Sequence, residues 1–331
     1  MTMDRLIFSM IFIFSMIILP SWAKKDGNHL HVGFYKIQCP NVERIVADVV
    51  FKAYLKDLRV TPHLLRLFFH DCFVKGCDAS LLLDSTPSGE PVEKTSPANG
   101  NSLKGLDLID EIKTRIEEEC PETVSCADIL AFATRDATVL SGMPYYPVPA
   151  GRRDGRTSLA SDVRGNLPSG GTPIDDIIDI FKKKDFSVEE MVVLLGAHSL
   201  GSAHCGVFDY RLYNFSSKQT RDPSLNPFYA AHLSATCPRF RQNGDVTTNF
   251  DPITPFSLDN MYYWNLLKGR GLLEADQALA TNPKTSEFVH KMAFDPIGWK
   301  RKFTKAIIHL GRTDVLTGKN GEIRKSCRAT K

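Results

Sequence analysis

An arginine and a histidine stand four residues apart in the segment Arg66-Leu67-Phe68-Phe69-His70-Asp71. On a helix such residues share one face, and Phe69 lies next to that face. A permanent cation beside an imidazole is costly to bury unless the two side chains handle an anion or a polarised bond. The pair therefore indicates a site that handles an anion or a polarised bond. Taken alone, it also fits a helix end capped by two polar side chains.

Oxygen-bearing residues follow in the next ten positions. The side chains of Asp71, Asp78 and Ser80 and the carbonyls of Val74 and Gly76 offer only oxygen ligands, the kind that Ca²⁺ prefers. A disulfide between the nearby Cys72 and Cys77 would hold this loop rigid. The loop thus predicts a calcium site, and the alternative is an acidic loop in contact with solvent only. Zinc is disfavoured because the sequence has no CxxC pair.

A second histidine, His198, lies in the apolar segment Leu194-Leu195-Gly196-Ala197-His198-Ser199-Leu200-Gly201. Its small neighbours would let a large flat group approach, which fits axial ligation of a haem. The alternative is a buried core histidine with its hydrogen bonds satisfied. No CxxCH motif occurs, so any haem is expected to be held without covalent attachment. Asp251, Thr254 and Asp259 form another oxygen-rich loop further along the chain.

Helices must position these residues, because apolar stripes with helical spacing recur along the chain. Leu108, Ile109, Ile112 and Ile116 form one stripe, while Lys113 and its charged neighbours are expected to face water. Similar stripes predict helices near 41–57, 62–73, 104–119, 126–141, 174–184, 187–195, 226–236, 259–268, 283–293 and 296–309. The loops at 142–173 and 238–257 are too long to be mere connectors, so we expect them to serve function or to carry small strands. No strand–helix alternation occurs, which disfavours a doubly wound sheet.

The composition is that of a globular protein: 331 residues, 43% hydrophobic, with a formal net charge of +3. This small, dispersed charge argues against nucleic acid as a partner. Residues 1–23 combine Arg5, an apolar run from Leu6 to Leu19, Pro20 and the ending Ser21-Trp22-Ala23, which predicts a secretory signal peptide. The alternative, a membrane anchor, needs about 20 apolar residues, more than this run has.

Secretion affects how the cysteines are interpreted. All eight follow residue 23, and in an oxidising compartment they predict four disulfides, whose pairing the spacing alone leaves open. Asn214-Phe215-Ser216 is a glycosylation sequon, which suits the surface of a secreted protein.

These motifs occur together in one known family. The chain resembles the secretory (class III) haem peroxidases of plants over essentially all of residues 24–331. The resemblance rests on Leu65-Arg66-Leu67-Phe68-Phe69-His70-Asp71-Cys72-Phe73-Val74, Val124-Ser125-Cys126-Ala127-Asp128, Gly151-Arg152-Arg153-Asp154, Gly196-Ala197-His198, Arg211-Leu212-Tyr213-Asn214-Phe215, Asp259-Asn260 with Tyr262-Tyr263, Ala275-Asp276-Gln277 and Val315-Leu316-Thr317-Gly318.

The resemblance implies an all-α, two-lobed fold with minor β structure, in which haem b lies between an N-terminal distal lobe and a C-terminal proximal lobe. It implies reduction of H2O2 to water with one-electron oxidation of phenolic or similar aromatic donors. A monomer with two calcium ions is expected, exported to the cell wall because no sorting extension follows Cys327. The alternatives are a secreted haem-binding wall protein with little turnover and a haem-free hydrolase, which would lack a Ser or Cys nucleophile motif.

Roles carry over from the family position by position. His70 resembles the distal general base with Phe69 beside it, and Arg66 its electrostatic partner. Asn99 would accept a hydrogen bond from His70, and Glu93 would extend that chain towards the calcium loop. His198 resembles the axial iron ligand, Asp276 its hydrogen-bond acceptor, and Pro168 the position bordering the haem edge where donors approach.

The metal and disulfide assignments are also implied by the resemblance. The first calcium site would use Asp71, Val74, Gly76, Asp78 and Ser80, and the second would use Ser199, Asp251, Thr254 and Asp259. The disulfides would be Cys39–Cys120, Cys72–Cys77, Cys126–Cys327 and Cys205–Cys237. Asp128 and Arg152 match an internal ion pair. Ser199 replaces the more frequent Thr, so we expect weaker calcium retention at the second site.

Overall fold

Helices account for most of the computed structural model, which describes residues 30–239 and 246–331. The predicted signal peptide at 1–23 lies outside the described residues. Within them the helices are α1 (Val42–Lys56), α2 (Val60–Val74), α3 (Leu106–Glu119), α4 (Cys126–Leu140), α5 (Ile174–Lys182), α6 (Val188–Leu195), α7 (Tyr210–Tyr213), α8 (Pro227–Thr236), α9 (Met261–Leu267), α10 (Glu274–Ala278), α11 (Ser286–Phe294) and α12 (Pro296–Leu310). This is the mainly α architecture that was expected.

Two small antiparallel sheets complete the described structure. Strand β1 (His31–Val32) pairs with β2 (Pro149–Ala150), and β3 (Ser202–His204) pairs with β4 (Thr247–Asn249). Strands β2 and β4 lie in the two long loops that were expected to carry function or small strands. All ten predicted helices are present. The short helices α7 and α10 were not predicted, because one turn of helix is too short to show a periodic pattern.

In the N-terminal half of the chain, α4 packs against α1, α2 and α3. Ser125 caps α4 by accepting a hydrogen bond from the Asp128 backbone N–H, so the helix begins at Cys126. On α3, Ile109, Ile112 and Ile116 are buried as predicted. The prediction for Lys113 was wrong: its side chain is buried because its ammonium donates to the Val124 carbonyl at 2.7 Å and pairs with Glu117 at 2.6 Å.

In the C-terminal half of the chain, α6 packs against α5, α11 and α12. A capping box fixes the start of α6: Ser187 accepts from the Glu190 N–H, and the Glu190 carboxylate accepts from the Ser187 N–H. The end of α6 passes directly into a short 3-10 turn, Gly196–Ser199. This turn carries His198, so the packing of α6 sets where the imidazole lies.

Four disulfides hold the described chain together, and their pairing is the one that the resemblance implied: Cys39–Cys120, Cys72–Cys77, Cys126–Cys327 and Cys205–Cys237. The third joins the start of α4 to the C-terminal segment. Near it, Arg152 and Asp128 form the expected buried ion pair, with 2.7 Å between Nη1 and Oδ1. In the part of the chain that the structure describes, no helix is long and apolar enough to cross a membrane.

Candidate active site

Helix α2 places Arg66 and His70 side by side, as the four-residue spacing predicted. Arg66 Nε lies 3.3 Å from His70 Nε2. The rest of the guanidinium is held by the segment before α3, where it donates to the Ala98 carbonyl at 3.0 Å and to the Ser102 carbonyl and hydroxyl at 2.9 Å each. Two carbonyls and one hydroxyl, rather than a carboxylate, therefore hold Arg66. Its positive charge is not neutralised by an ion pair with any described residue and acts on the adjacent His70.

The contacts of His70 determine its tautomer. A guanidinium can only donate, so Nε2 of His70 accepts from Arg66. On the other side, Nδ1 lies 2.6 Å from Asn99 Oδ1, while Asn99 Nδ2 donates to the Glu93 carbonyl at 2.7 Å. Because the amide is oriented by Glu93, Nδ1 carries the proton and donates it to Asn99. The lone pair of Nε2 is thus kept free of a proton, which is what a base requires.

The pKa of His70 supports this neutral form. Burial and the adjacent Arg66 cation lower the pKa of the imidazole to about 3. At neutral pH His70 is therefore uncharged and able to accept a proton. Phe69 is half-buried beside it, with 5.9 Å between ring centroids, and packs on Phe73 at 4.3 Å. The aromatic packing limits the space in which the His70 ring can turn.

Glu93 reaches Asn99 through its backbone carbonyl, which accepts from Asn99 Nδ2 at 2.7 Å. Its carboxyl oxygens are buried without a hydrogen-bond partner among the described residues, as is the nearby Ser80 hydroxyl. Burial raises the pKa of Glu93 to about 8. The sequence motif identified Glu93 correctly as a neighbour of Asn99, but a motif does not distinguish a carbonyl from a carboxylate.

His198 has the opposite surroundings. Its Nδ1 lies 2.9 and 3.1 Å from the two carboxylate oxygens of Asp276, a buried residue on α10. Burial lowers the pKa of His198, but the charge and hydrogen bond of Asp276 outweigh that effect, and the pKa is raised overall. The carboxylate holds the proton on Nδ1 and makes the imidazole more electron-rich. Such a carboxylate–histidine pair is the usual support for a metal-bound imidazole.

Two further residues complete the His198 site, and sequence reasoning assigned neither of them a role. The ring of Phe250 stacks on the imidazole, with 4.5 Å between centroids and 7° between planes. Tyr262 donates from its hydroxyl to Asp276 Oδ1 at 2.9 Å. The only signal for Tyr262 was its place in a family motif. Phe250 gave none, because the stacking depends on the pairing of β3 with β4.

The exposed part of His198 is suited to an iron-bound group. Its side chain is 31% exposed although Asp276 beneath it is only 3% exposed, so the ring has one open side. No hydrogen bond occupies Nε2 within residues 30–239 and 246–331. Arg66 lies near enough to act on the pKa of His198. The open side of His198, with no hydrogen bond at Nε2 in the described residues, fits a haem held by one axial nitrogen.

Comparison with known proteins identifies the family. The peroxidase family model matches residues 46–295. Peroxidase 5 of Vitis vinifera is 46% identical over 299 residues, covering 90% of this chain and 91% of that protein. Peroxidase 1 of Zea mays is 44% identical over 315 residues, 94% of this chain and 85% of that protein. Peroxidase 57 of Arabidopsis thaliana is 44% identical, covering 90% and 92%.

The chain belongs to the class III plant peroxidases. It is therefore an H2O2-dependent peroxidase, an oxidoreductase that binds haem and two calcium ions.

The loop after α2 fits the first calcium ion in its charge and in its unsatisfied oxygens. Asp71 and Asp78 are buried, and burial followed by the charges of Asp78 and Glu93 raises the pKa of Asp71 well above its usual range. The buried hydroxyl of Ser80 has no partner. Arg324 and Lys75 offset part of the charge of Asp78, but the raised pKa of Asp71 still favours a bound cation beside it. One proposed ligand has another role here, because the Val74 carbonyl accepts from the Lys184 ammonium at 3.2 Å.

The second calcium set is also brought together. Thr254 Oγ1 lies 3.3 Å from Asp251 Oδ2 and 3.2 Å from Asp259 Oδ1, and the Asp259 N–H donates to Ser199 Oγ at 3.3 Å. Burial, with Asp251 contributing, raises the pKa of Asp259. In the described residues no three His, Cys, Asp or Glu side chains converge on one point. Either ion would therefore need carbonyl and hydroxyl oxygens as well as carboxylates.

Pro168 lies in a loop that is joined to the His198 support. The Gly170 carbonyl accepts from the Ala275 N–H at 3.0 Å, directly beside Asp276. Tyr210 on α7 donates to the Glu274 carboxylate at 2.7 Å and fixes the same end of α10. The loop with Pro168 is thus positioned relative to His198 through α10.

Asn214, the predicted glycosylation site, is exposed just after α7.

Proposed function

We propose that the protein is a secreted peroxidase in which His70, Arg66 and Asn99 act on the peroxide and His198 and Asp276 hold the haem. The observation that carries this assignment is the contrast between the two histidines: one is neutral beside a guanidinium, and the other is bonded to a carboxylate. When bound at His198, haem supplies the redox centre, taking two oxidising equivalents from H2O2 and returning them one at a time to two donor molecules.

The side chains of the distal site transfer the proton of this reaction and stabilise the charge that develops in it. Nε2 of His70 accepts a proton from the peroxide oxygen that approaches it and returns that proton to the oxygen that departs as water. The Arg66 guanidinium stabilises the negative charge that develops when the O–O bond breaks. Asn99 keeps the other ring proton on Nδ1. Overall, one H2O2 and two phenolic donors yield two water molecules and two phenoxyl radicals.

Export and donor class are part of the same proposal. The apolar run of residues 6–19, the four disulfides and the exposed sequon at Asn214 support removal of residues 1–23 and secretion of one peroxidase domain, 24–331, to the cell wall as a monomer. Pro168 is proposed to border the opening where phenolic or similar aromatic donors approach. Such donors need only reach an open edge of the haem, which selects weakly by shape.

The test is the visible absorption spectrum of the haem- and calcium-loaded protein before and after one equivalent of H2O2. We expect a five-coordinate ferric spectrum that changes rapidly on addition of peroxide and returns when a phenol is added. Haem that peroxide leaves unchanged would favour the alternative, a secreted haem-binding wall protein with little turnover. Such a result would also remove the assigned roles of His70 and Arg66.

A further inference from the structure

A surface cavity of about 380 Å³ lies between the first sheet and the C-terminal segment, and none of its lining residues belongs to the site described above. The aromatic side chains of His31, Phe34 and Tyr35 line it, together with Arg153, Gly318 and Ile323. Cavities that bind small molecules span roughly 300–1,000 Å³ and combine apolar walls with a few polar groups. This cavity is therefore large enough for a ligand with a single aromatic ring.

The apolar wall consists of rings in contact with one another. The ring centroids of His31 and Phe34 are 5.0 Å apart, and those of Phe34 and Tyr35 are 4.9 Å apart at 82°. Tyr35 is anchored because its hydroxyl donates to Asp128 Oδ2 at 2.8 Å. Phe34 is half-buried and His31 is exposed, so their rings are accessible from solvent. A planar ligand could pack on them at ordinary aromatic distances.

The polar group of the cavity is Arg153. Its backbone is fixed by the hydrogen bond from its N–H to the Leu316 carbonyl at 2.8 Å. Its Nε is buried and has no hydrogen-bond partner, and no carboxylate of the described residues lies within ion-pair distance of its guanidinium. Buried donors in folded proteins nearly always have a partner, either a protein group or an ordered water, and an acceptor bound in the cavity would supply one.

Two acidic side chains beside Arg153 along the chain and on the paired segment, Asp154 and Glu322, are already occupied. Asp154 accepts from the backbone N–H groups of Ala127 and Arg324, both at 3.0 Å. The Glu322 backbone pairs with that of Asp154. The Glu322 carboxylate accepts from Arg156 Nε at 3.2 Å and from the Lys331 backbone N–H at 3.1 Å. The other arginine of the cavity, Arg152, is neutralised by Asp128. A positive charge is therefore left uncompensated beside an aromatic wall.

We propose that this cavity binds an aromatic carboxylate, with the carboxylate on the Arg153 guanidinium and the ring on Phe34 and His31. A guanidinium presents a planar fork that matches a carboxylate, and the charge-assisted contact would satisfy the buried Nε. The cavity is separate from the proposed donor opening, so occupancy leaves phenol oxidation unaffected.

The experiment titrates 4-fluorocinnamate, which has no phenolic hydroxyl to oxidise, into the ferric holoprotein and follows its ¹⁹F NMR signal. A hydrogen bond to a charged group contributes about 1.5–3 kcal/mol, so the methyl ester is expected to bind at least about tenfold more weakly. Arg153→Gln is expected to lose a similar factor, and Arg153→Lys less because it keeps the charge without the fork. Arg156→Gln is the matched control. Arg156 is hydrogen-bonded to Glu322 and does not line the cavity, so this variant should bind the probe with unchanged affinity.

Several results would overturn the proposal. These are equal affinity for the acid and its ester, unchanged affinity in Arg153→Gln, or competitive inhibition of guaiacol oxidation, which would place the probe at the donor opening. Unfolding midpoints accompany each variant, and the comparison of acid with ester on the unaltered protein stands even where a variant does not fold.

Discussion

The two histidines of the site are the same side chain in opposite electrical surroundings. His70 has a neutral amide on Nδ1 and a cation near Nε2, and burial with that cation lowers its pKa to about 3. His198 has a carboxylate on Nδ1 and an open side at Nε2, and its pKa is raised by Asp276 in spite of burial. In both rings Nδ1 holds the proton and Nε2 offers a lone pair.

The comparison shows that the partner of Nδ1 decides what the lone pair of Nε2 can do. An amide partner leaves an imidazole that takes a proton and releases it again. A carboxylate partner raises the electron density of the ring, which strengthens its bond to a metal. One fold can therefore use one residue type for acid–base work on one side and for ligation on the other. The following experiments exchange or weaken these partners.

Removal of the distal imidazole is expected to have the largest effect. In His70→Ala no side chain is left to transfer the peroxide proton, so the rate constant of the reaction with H2O2 should fall by roughly 10²–10⁴-fold. Stopped-flow absorbance measures it, with the haem spectrum confirming that haem is still bound. The control is His63→Ala on the same helix, which should stay within about twofold. A rate unchanged in His70→Ala would end the general-base assignment.

Asp276→Asn makes the proximal partner resemble the distal one. The amide cannot strengthen His198 as a donor, and loss of such supporting partners typically costs about 10–100-fold in metal affinity or activity. We expect faster haem loss and a more positive Fe(III)/Fe(II) midpoint potential, measured by haem transfer to an acceptor protein and by spectroelectrochemistry. Glu274→Gln on the same helix is the matched control, because its carboxylate is bonded to Tyr210. Equal effects in the two variants would contradict a special role for Asp276.

Asn99→Asp makes the distal partner resemble the proximal one. A carboxylate on Nδ1 raises the pKa of His70 towards or above the ordinary histidine value of about 6.5. Histidine is protonated below its pKa, so the variant should lose roughly tenfold or more of its peroxide rate at pH 5 while changing little at pH 8. The unaltered protein should keep its rate at pH 5, since the pKa of His70 is about 3. A parallel pH profile for the two proteins would refute this explanation.

Tyr262→Phe tests the hydroxyl that donates to Asp276, the hydrogen-bond partner of His198. Its hydroxyl donates to Asp276 at 2.9 Å, so its removal makes the carboxylate more basic and the His198 ring more electron-rich. The midpoint potential should move in the negative direction, opposite to Asp276→Asn, and the stability loss should be about 1–3 kcal/mol. Tyr263→Phe controls for the neighbouring buried hydroxyl, which donates to the Val192 carbonyl. A positive shift in Tyr262→Phe would count against the proposed hydrogen-bond chain.

The smallest expected effect concerns calcium beside His198. Ser199→Thr restores a methyl group next to the hydroxyl that contacts Asp259 and Ser257, and tighter packing should slow calcium release by a few-fold at most. Calcium content after mild chelation, measured by atomic absorption, compares the variant with the unaltered protein and with a Ser202→Thr control. Faster release in Ser199→Thr would show that the serine is the better ligand in this loop.

The Arg66 and His70 pair of the distal site could be predicted from the sequence because both residues lie on one helix. The spacing of Arg66 and His70 places them together wherever that helix packs. The proximal site depends on contacts between distant segments: Phe250 reaches His198 through a sheet whose strands are only three residues long. The buried Lys113 was mispredicted for the same reason, since the carbonyl that accepts from it belongs to the next loop.

The Cys126–Cys327 disulfide also constrains the order of events during synthesis. Its two cysteines are 201 residues apart. At about 5–20 residues per second a ribosome needs roughly 10–40 s to make the intervening chain. During that interval Cys126 is a free thiol, while Cys72–Cys77 needs only 5 residues of sequence separation and can already close. A nascent chain halted before Cys327 would therefore carry one unpaired, reactive thiol at the start of α4, available for a mixed disulfide with an oxidoreductase until the last segment emerges.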